Sequence, residues 1–105
     1  MDTKIKLQTV QIEGGTIMGL SSAIGEAITL EKGAVQQSNL SDYLLLNMAQ
    51  APLVQDIHFL NSGAPMGGIG EPGVPPAAPA LANALFAATG KRIRELPLKQ
   101  QSLKA

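Results

Sequence analysis

The sequence predicts an α+β fold, with a glycine-rich helix and a buried alanine-rich helix on one face of a small antiparallel sheet. Three observations predict it. Ile17, Leu20, Ile24 and Ala27 or Ile28 recur at helical spacing. Two runs, 28–35 and 53–60, are rich in β-prone residues. An almost wholly apolar stretch, 77–89, lies between a cluster of prolines and Gly90.

The first helix is expected over residues 8–28. Gly14, Gly15, Gly19 and Gly25 interrupt it, each costing up to ~1 kcal/mol against alanine. A helix that keeps four such residues packs its backbone closely against something. Glu13 and Glu26 read as solvated or capping charges. Ile28-Thr29-Leu30-Glu31-Lys32-Gly33-Ala34-Val35 reads as a hairpin, with β-branched residues around a turn that has glycine near its tip. Residues 38–42 are polar and turn-rich. The apolar run Tyr43 to Met48 is expected to be irregular, because Ala51-Pro52 follows so soon.

Leu53-Val54-Gln55-Asp56-Ile57-His58-Phe59-Leu60 is the clearest expected strand, pairing with the hairpin. Strand alternation puts Asp56 and His58, the only histidine, on one face. An Asp-x-His pair can serve acid–base chemistry or a metal. No third ligand of suitable spacing accompanies it, so an exposed strand is the simpler reading.

The second helix is expected from Pro75 or Pro76 to Thr89. Pro79 is tolerated only in the first turn, which moves the true start towards Ala77. Gly90 suits the position after the last helical residue, and Lys91, Arg92 and Arg94 follow near the negative helix end. Between Ala77 and Thr89 only Asn83 and Thr89 are polar. A helix apolar on nearly every side must be covered on nearly every side. The chain has too few other elements to cover it, so a partner is expected. The tail is expected to fray over 99–105.

Composition narrows the function classes. At 105 residues the chain is at most one small domain. Formal net charge is zero, so nothing in the electrostatics argues for nucleic acid or an acidic membrane surface. There is no cysteine, which excludes disulfides and a cluster ligated by this chain's thiolates. No apolar run approaches the ~20 residues of a transmembrane segment. Met1 to Lys6 carries charge without a following apolar run, so no secretory signal is visible within the chain and no compartment is assigned.

The chemistry centres on Gly67-Gly68-Ile69-Gly70-Glu71-Pro72-Gly73-Val74-Pro75-Pro76. Five of the eleven glycines lie between Gly63 and Gly73, and five of the seven prolines lie between Pro65 and Pro79. Glycine permits close backbone approach or positive φ, and proline fixes φ. The pattern describes a collar of defined shape holding one carboxylate, Glu71. Two readings are open. Glu71 is a functional carboxylate presented to a large ligand, or it caps the following helix near its positive end.

This stretch, with Ala-Pro-Ala-Leu-Ala-Asn-Ala-Leu-Phe-Ala-Ala-Thr-Gly-Lys-Arg after it, resembles the C-terminal end of the molybdenum-binding large subunit of the xanthine dehydrogenase and aldehyde oxidase superfamily. The similarity includes the branch of isoquinoline 1-oxidoreductase β subunits and related aldehyde dehydrogenases. It continues upstream through Gln11-Ile12-Glu13-Gly14-Gly15, Gly25-Glu26-Ala27-Ile28-Thr29-Leu30 and Val35-Gln36-Gln37-Ser38-Asn39, covering roughly residues 10–98. A lone Gly-x-Gly-Glu would be weak; the longer glycine–glutamate stretch is specific.

The resemblance implies a segment of a larger molybdopterin-binding domain, in an enzyme that oxidises an aldehyde or N-heterocycle with water-derived oxygen. It implies that Glu71 is the general base and that Gln11 lies close to the pterin; the place of Gly70 directly before that base marks it as a cofactor-side residue where the backbone approaches closely or takes positive φ. The implied cofactor is molybdopterin with molybdenum, in the cytosine dinucleotide form, with iron–sulfur clusters only on a partner domain or subunit. The implied partners are the remainder of the large subunit, an iron–sulfur small subunit and the small-molecule substrate, with no nucleic acid. The family's upstream segments are not in this chain, so Met1 reads as a truncation point or a late start. The alternative is a structural or interaction module with Glu71 as a helix cap and no catalysis.

Overall fold

The computed structural model describes residues 3–102. Helix α1 spans Thr3–Ile24. Strands β1 (Leu30–Glu31) and β2 (Ala34–Val35) form the only sheet among the described residues. Helix α2 spans Ala77–Thr89, and Leu98–Gln100 makes one turn of 3₁₀ helix. The architecture is α+β. No described helix is long and apolar enough to cross a membrane.

Helix α1 begins five residues before the expected start and ends at Ile24. Its deepest face is not the aliphatic one. The buried residues are Gly15, Gly19, Ser21 and Ala23, while Ile17, Leu20 and Ile24 are half-buried. Gly15, Gly19 and Ala23 follow one another at four-residue spacing and therefore share a stripe on the helix. Gly25 leaves the helix with its N–H still donated to Ser21 O, at 3.1 Å.

The contact made by that stripe is backbone against backbone. A Cβ on Gly19 would stand 2.6 Å from both Ala77 Cβ and Val74 O. A Cβ on Gly73 would stand 3.1 Å from Ile12 O and 3.2 Å from Thr16 N. The expected close approach of α1 is thus made, and its partner is the collar and the first residue of α2. The core is small: among the described residues the buried apolar side chains are Ala23, Ala77, Pro97 and Leu98.

The hairpin is as expected. Leu30 pairs with Val35 and Glu31 with Ala34 around Lys32-Gly33. Both turn residues have positive φ, 49° and 80°, the backbone that a two-residue hairpin loop requires. Gln37 closes its open end, accepting from Thr29 N at 2.7 Å and donating to Thr29 Oγ1 at 2.9 Å. The hairpin contacts neither helix, so the expected seating of both helices on one sheet face is not observed. The helices pack on each other instead.

Residues 53–60 are not a strand. The run has the alternation of one, but it pairs with no strand among the described residues, and β-propensity expresses fit to a paired, half-buried surface. Leu53 is 99% exposed and Leu60 90%. The 43–48 run is irregular, as expected, and is tied to the end of α1. Leu46 N donates to Ser21 Oγ at 2.9 Å and Tyr43 OH donates to Glu26 Oε1 at 2.8 Å. The first of these bonds satisfies the one buried polar side chain, Ser21.

Helix α2 has the expected bounds. Pro79 falls in its first turn, and Gly90, at φ 72°, donates its N–H to Phe86 O at 2.7 Å. The Arg92 guanidinium lies 3.4 Å from the centroid of the Phe86 ring. Only Ala77 of this helix is buried, so most of its apolar surface is uncovered within the chain. Leu98 in the 3₁₀ turn lines one apolar cleft with Ile24, Leu81 and Leu85. Residues 103–105 of the tail expected to fray lie outside the described residues.

Candidate active site at the glycine–proline collar

The collar reaches α2 through successive turns. Val74 N donates to Glu71 O at 3.1 Å, Ala77 N to Val74 O at 3.2 Å, and Ala80 N to Pro76 O at 3.1 Å. Glu71 therefore stands at the first position of the first turn. It is bracketed by two anchors on α1. On one side the Gln11 side-chain amide donates to Gly70 O. On the other, Gly73 lies in the groove formed by Ile12, Gly15 and Thr16.

The structure thus joins Gln11 and Gly70, two of the three residues singled out by sequence, across 59 positions of chain. The third, Glu71, is held between them and Gly73. The Glu71 side chain is exposed and has no hydrogen bond or ion pair among the described residues. It does not cap α2. The residue at the cap position is Pro76, with no side-chain cap bond, and Glu71 is separated from Ala77 by two turns. The helix-cap reading of Glu71 is therefore corrected.

Gly70 does not have positive φ, and a Cβ there would meet nothing within 4 Å. Within this chain neither strain nor crowding demands glycine at that position. Gly67 and Gly68 are equally open. The glycine face of the collar is bare backbone turned away from the chain's own packing.

Beside the collar lies a cleft of about 520 Å³, lined by Gln8, Ile12, His58, Met66, Ile69 and Pro72 among others. His58 thus borders the collar rather than a sheet. Among the described residues no three His, Cys, Asp or Glu side chains are grouped to hold a metal. What the segment offers a large cofactor is one unpaired carboxylate, one amide and an open stretch of backbone. Those groups fit a metal carried by its own organic ligand, with the protein contributing hydrogen bonds and a base.

The seat of Gly73 was missed by sequence reasoning. Its signal was the four-residue spacing of Gly15 and Gly19, a small-residue pattern that lets a second backbone come close.

No family model matches the chain. Curated relatives do. Isoquinoline 1-oxidoreductase subunit beta of Brevundimonas diminuta is 38% identical over 89 residues, which is 85% of this chain and 11% of that protein. A putative xanthine dehydrogenase molybdenum-binding subunit of Escherichia coli is 33% identical over 100 residues, 89% of this chain and 13% of that protein. The chain belongs to the xanthine dehydrogenase family of molybdenum-binding subunits. A further relative in this group, from Gluconacetobacter polyoxogenes, is named a membrane-bound aldehyde dehydrogenase [pyrroloquinoline-quinone]. It is 38% identical over 89 residues, again 85% of this chain and 11% of that protein. The chain spans about a tenth of the length of these xanthine dehydrogenase family relatives.

Proposed function

We propose that this chain supplies the general-base carboxylate, Glu71, of a molybdenum hydroxylase that oxidises an aldehyde or an N-heterocycle. The observation that carries the reading is the placement of Glu71. Its backbone is held on both sides by α1 while its carboxylate has no partner among the described residues. A carboxylate held in this way is free to take a proton from a group that the chain itself does not contain.

The residues present would hold molybdopterin, in the cytosine dinucleotide form, which would supply the redox chemistry as acceptor of the electron pair of the substrate C–H bond that breaks, with iron–sulfur clusters on a partner domain or subunit as the onward acceptor. Glu71 takes up the proton released as water-derived oxygen bonds to the substrate carbon. Gln11 keeps one amide hydrogen and its amide oxygen beyond the bond to Gly70, and these would be its contacts to the pterin. Gly70, bare of a side chain, leaves room for the cofactor beside the base. The remainder of the large subunit covers α2 and supplies the substrate pocket, and an iron–sulfur small subunit completes the assembly. The relatives' names support the substrate classes, isoquinoline being an N-heterocycle and aldehyde dehydrogenase naming the other.

The test is Glu71→Gln within a complete subunit, with metal content, melting temperature and kcat measured on one preparation. A positioned general base contributes ~10²–10⁴-fold in rate, so kcat falls by about that factor at unchanged molybdenum content and melting temperature. Normal turnover, or activity lost together with the metal, removes Glu71 as the base. A complete enzyme that holds a quinone and no molybdenum removes the cofactor assignment.

A further inference from the structure

The two anchors that bracket Glu71 differ in kind. One is a directional bond, from the Gln11 amide to Gly70 O. The other is steric. Gly73 has its Cα 3.5 Å from where a Gly15 Cβ would stand, and its own absent Cβ would crowd Ile12 O at 3.1 Å and Thr16 N at 3.2 Å. Both fall on α1 within little more than one helical turn, from Gln11 to Thr16. Helix backbone in this stretch is as rigid a reference as the chain contains. Thr16 Oγ1 donates to Ile12 O at 2.9 Å, so both atoms that crowd a Cβ at position 73 belong to one turn of the helix.

We infer that Gly73 and Gln11 are positioning residues that fix Glu71 against α1, Gly73 by permitting backbone contact and Gln11 by holding the preceding carbonyl. The inference rests on Glu71 being the base only for its catalytic consequence; the tether itself is a claim about this chain. A Cβ at position 73 is tighter than ordinary contact, and the atoms it meets are helix backbone that cannot turn aside. The collar must therefore lift by a few tenths of an ångström. Small misplacements of a reacting group are costly in rate, with ~1 Å reaching 10²-fold.

Two measurements test it. The chain has no cysteine, so spin labels can be placed by Glu71→Cys and Ser22→Cys, putting one label on the collar and one on α1. Their distance distribution is expected to be narrow, and Gly73→Ala or Gln11→Ala is expected to broaden or shift it. A distribution that neither substitution changes overturns the tether. In a complete subunit, Gly73→Ala is expected to lower kcat about 10-fold with KM and metal content unchanged. In a Glu71→Gln background the same substitution is expected to cost nothing more, because the group it positions is already gone. An equal fractional loss in both backgrounds means that Gly73 acts through general structure, and the positioning role fails. Full turnover by Glu71→Gln alone sinks the base reading, while the label distances still decide the tether.

Discussion

Gly14 and Gly19 lie on the same helix, and the structure assigns alanine opposite effects at the two positions. Replacing glycine by alanine in a helix interior gains ~0.8–1.0 kcal/mol from backbone entropy and propensity. That gain is common to both sites. At Gly14 a Cβ would meet nothing within 4 Å, so Gly14→Ala keeps the whole of it. At Gly19 the Cβ would stand 2.6 Å from Ala77 Cβ and Val74 O, closer than folded proteins tolerate. Relief requires α2 and the collar to move off α1, and overpacking of this kind costs ~1–3 kcal/mol. In the comparison of the two variants the propensity gain cancels, leaving the overpacking cost of ~1–3 kcal/mol alone.

The quantity to read is local opening at the junction, through hydrogen exchange at the Val74 and Ala77 amides, both of which are hydrogen-bonded in the collar turns. At ~1.4 kcal/mol per factor of ten, those amides are expected to exchange about 5- to 150-fold faster in Gly19→Ala than in Gly14→Ala. Exchange followed by mass spectrometry also suits the dilute solutions that an association-prone chain requires. Equal protection in the two variants, or better protection in Gly19→Ala, would refute the backbone-contact account of the junction.

Two further predictions concern the chain alone. Tyr43 is its only tyrosine and there is no tryptophan, so phenolate absorbance reads this one group. Its hydrogen bond to Glu26, with some burial and the carboxylate's charge, raises the phenol pKa above the ordinary 10.0. The neutral phenol is the stabilising form, so the contact is intact below pH 10.0 and is lost as pH rises through the raised value. Glu26→Gln is expected to bring the titration midpoint down; a midpoint that does not move rejects the contact. The second prediction follows from the uncovered apolar surface of α2 and of Leu53, Leu60 and Met66. The isolated chain is expected to self-associate in sedimentation velocity and to show no oxidation of aldehydes or N-heterocycles. A monodisperse monomer with a cooperative melt counts against the need for a covering partner.

Elements whose signals are local were legible in the sequence. Helix α2 is bounded by prolines that cannot continue a helix backwards and by a glycine that can take positive φ; its end is read to the residue and its start to within Pro75–Ala77. The hairpin carries its own turn chemistry in Lys32-Gly33. Elements defined by what they touch were less legible. The 53–60 run alternates like a strand, yet alternation states only what such a segment would do beside an edge, and the run does not pair with the hairpin. Helix α1 was read by its aliphatic residues, whereas its tightest contact uses the residues with the least side chain. The expected α1 start is too late because Thr3 to Leu7 mixes lysine and β-branched residues, although Asp2-Thr3 are residue types that start helices. Gln11 and Gly70 were each singled out by resemblance, but a bond across 59 residues leaves no local trace in either segment.

The way the junction is built bears on how a single carboxylate can be placed well by a segment with so small a core. Among the described residues the buried apolar side chains are Ala23, Ala77, Pro97 and Leu98 alone, so burial of aliphatic groups is not what fixes the collar. Contacts through long side chains would leave rotamer freedom between the helix and the loop. Gly15, Gly19 and Gly73 remove that freedom by removing the side chains. The distance from α1 to the collar is then set by main-chain atoms, whose geometry is the least adjustable in the chain. Pro72, Pro75 and Pro76 limit φ on the way to α2, so little of the remaining slack lies in the loop. The mobile torsions left to Glu71 are those of its own side chain, and these are the ones that a bound cofactor or substrate can order.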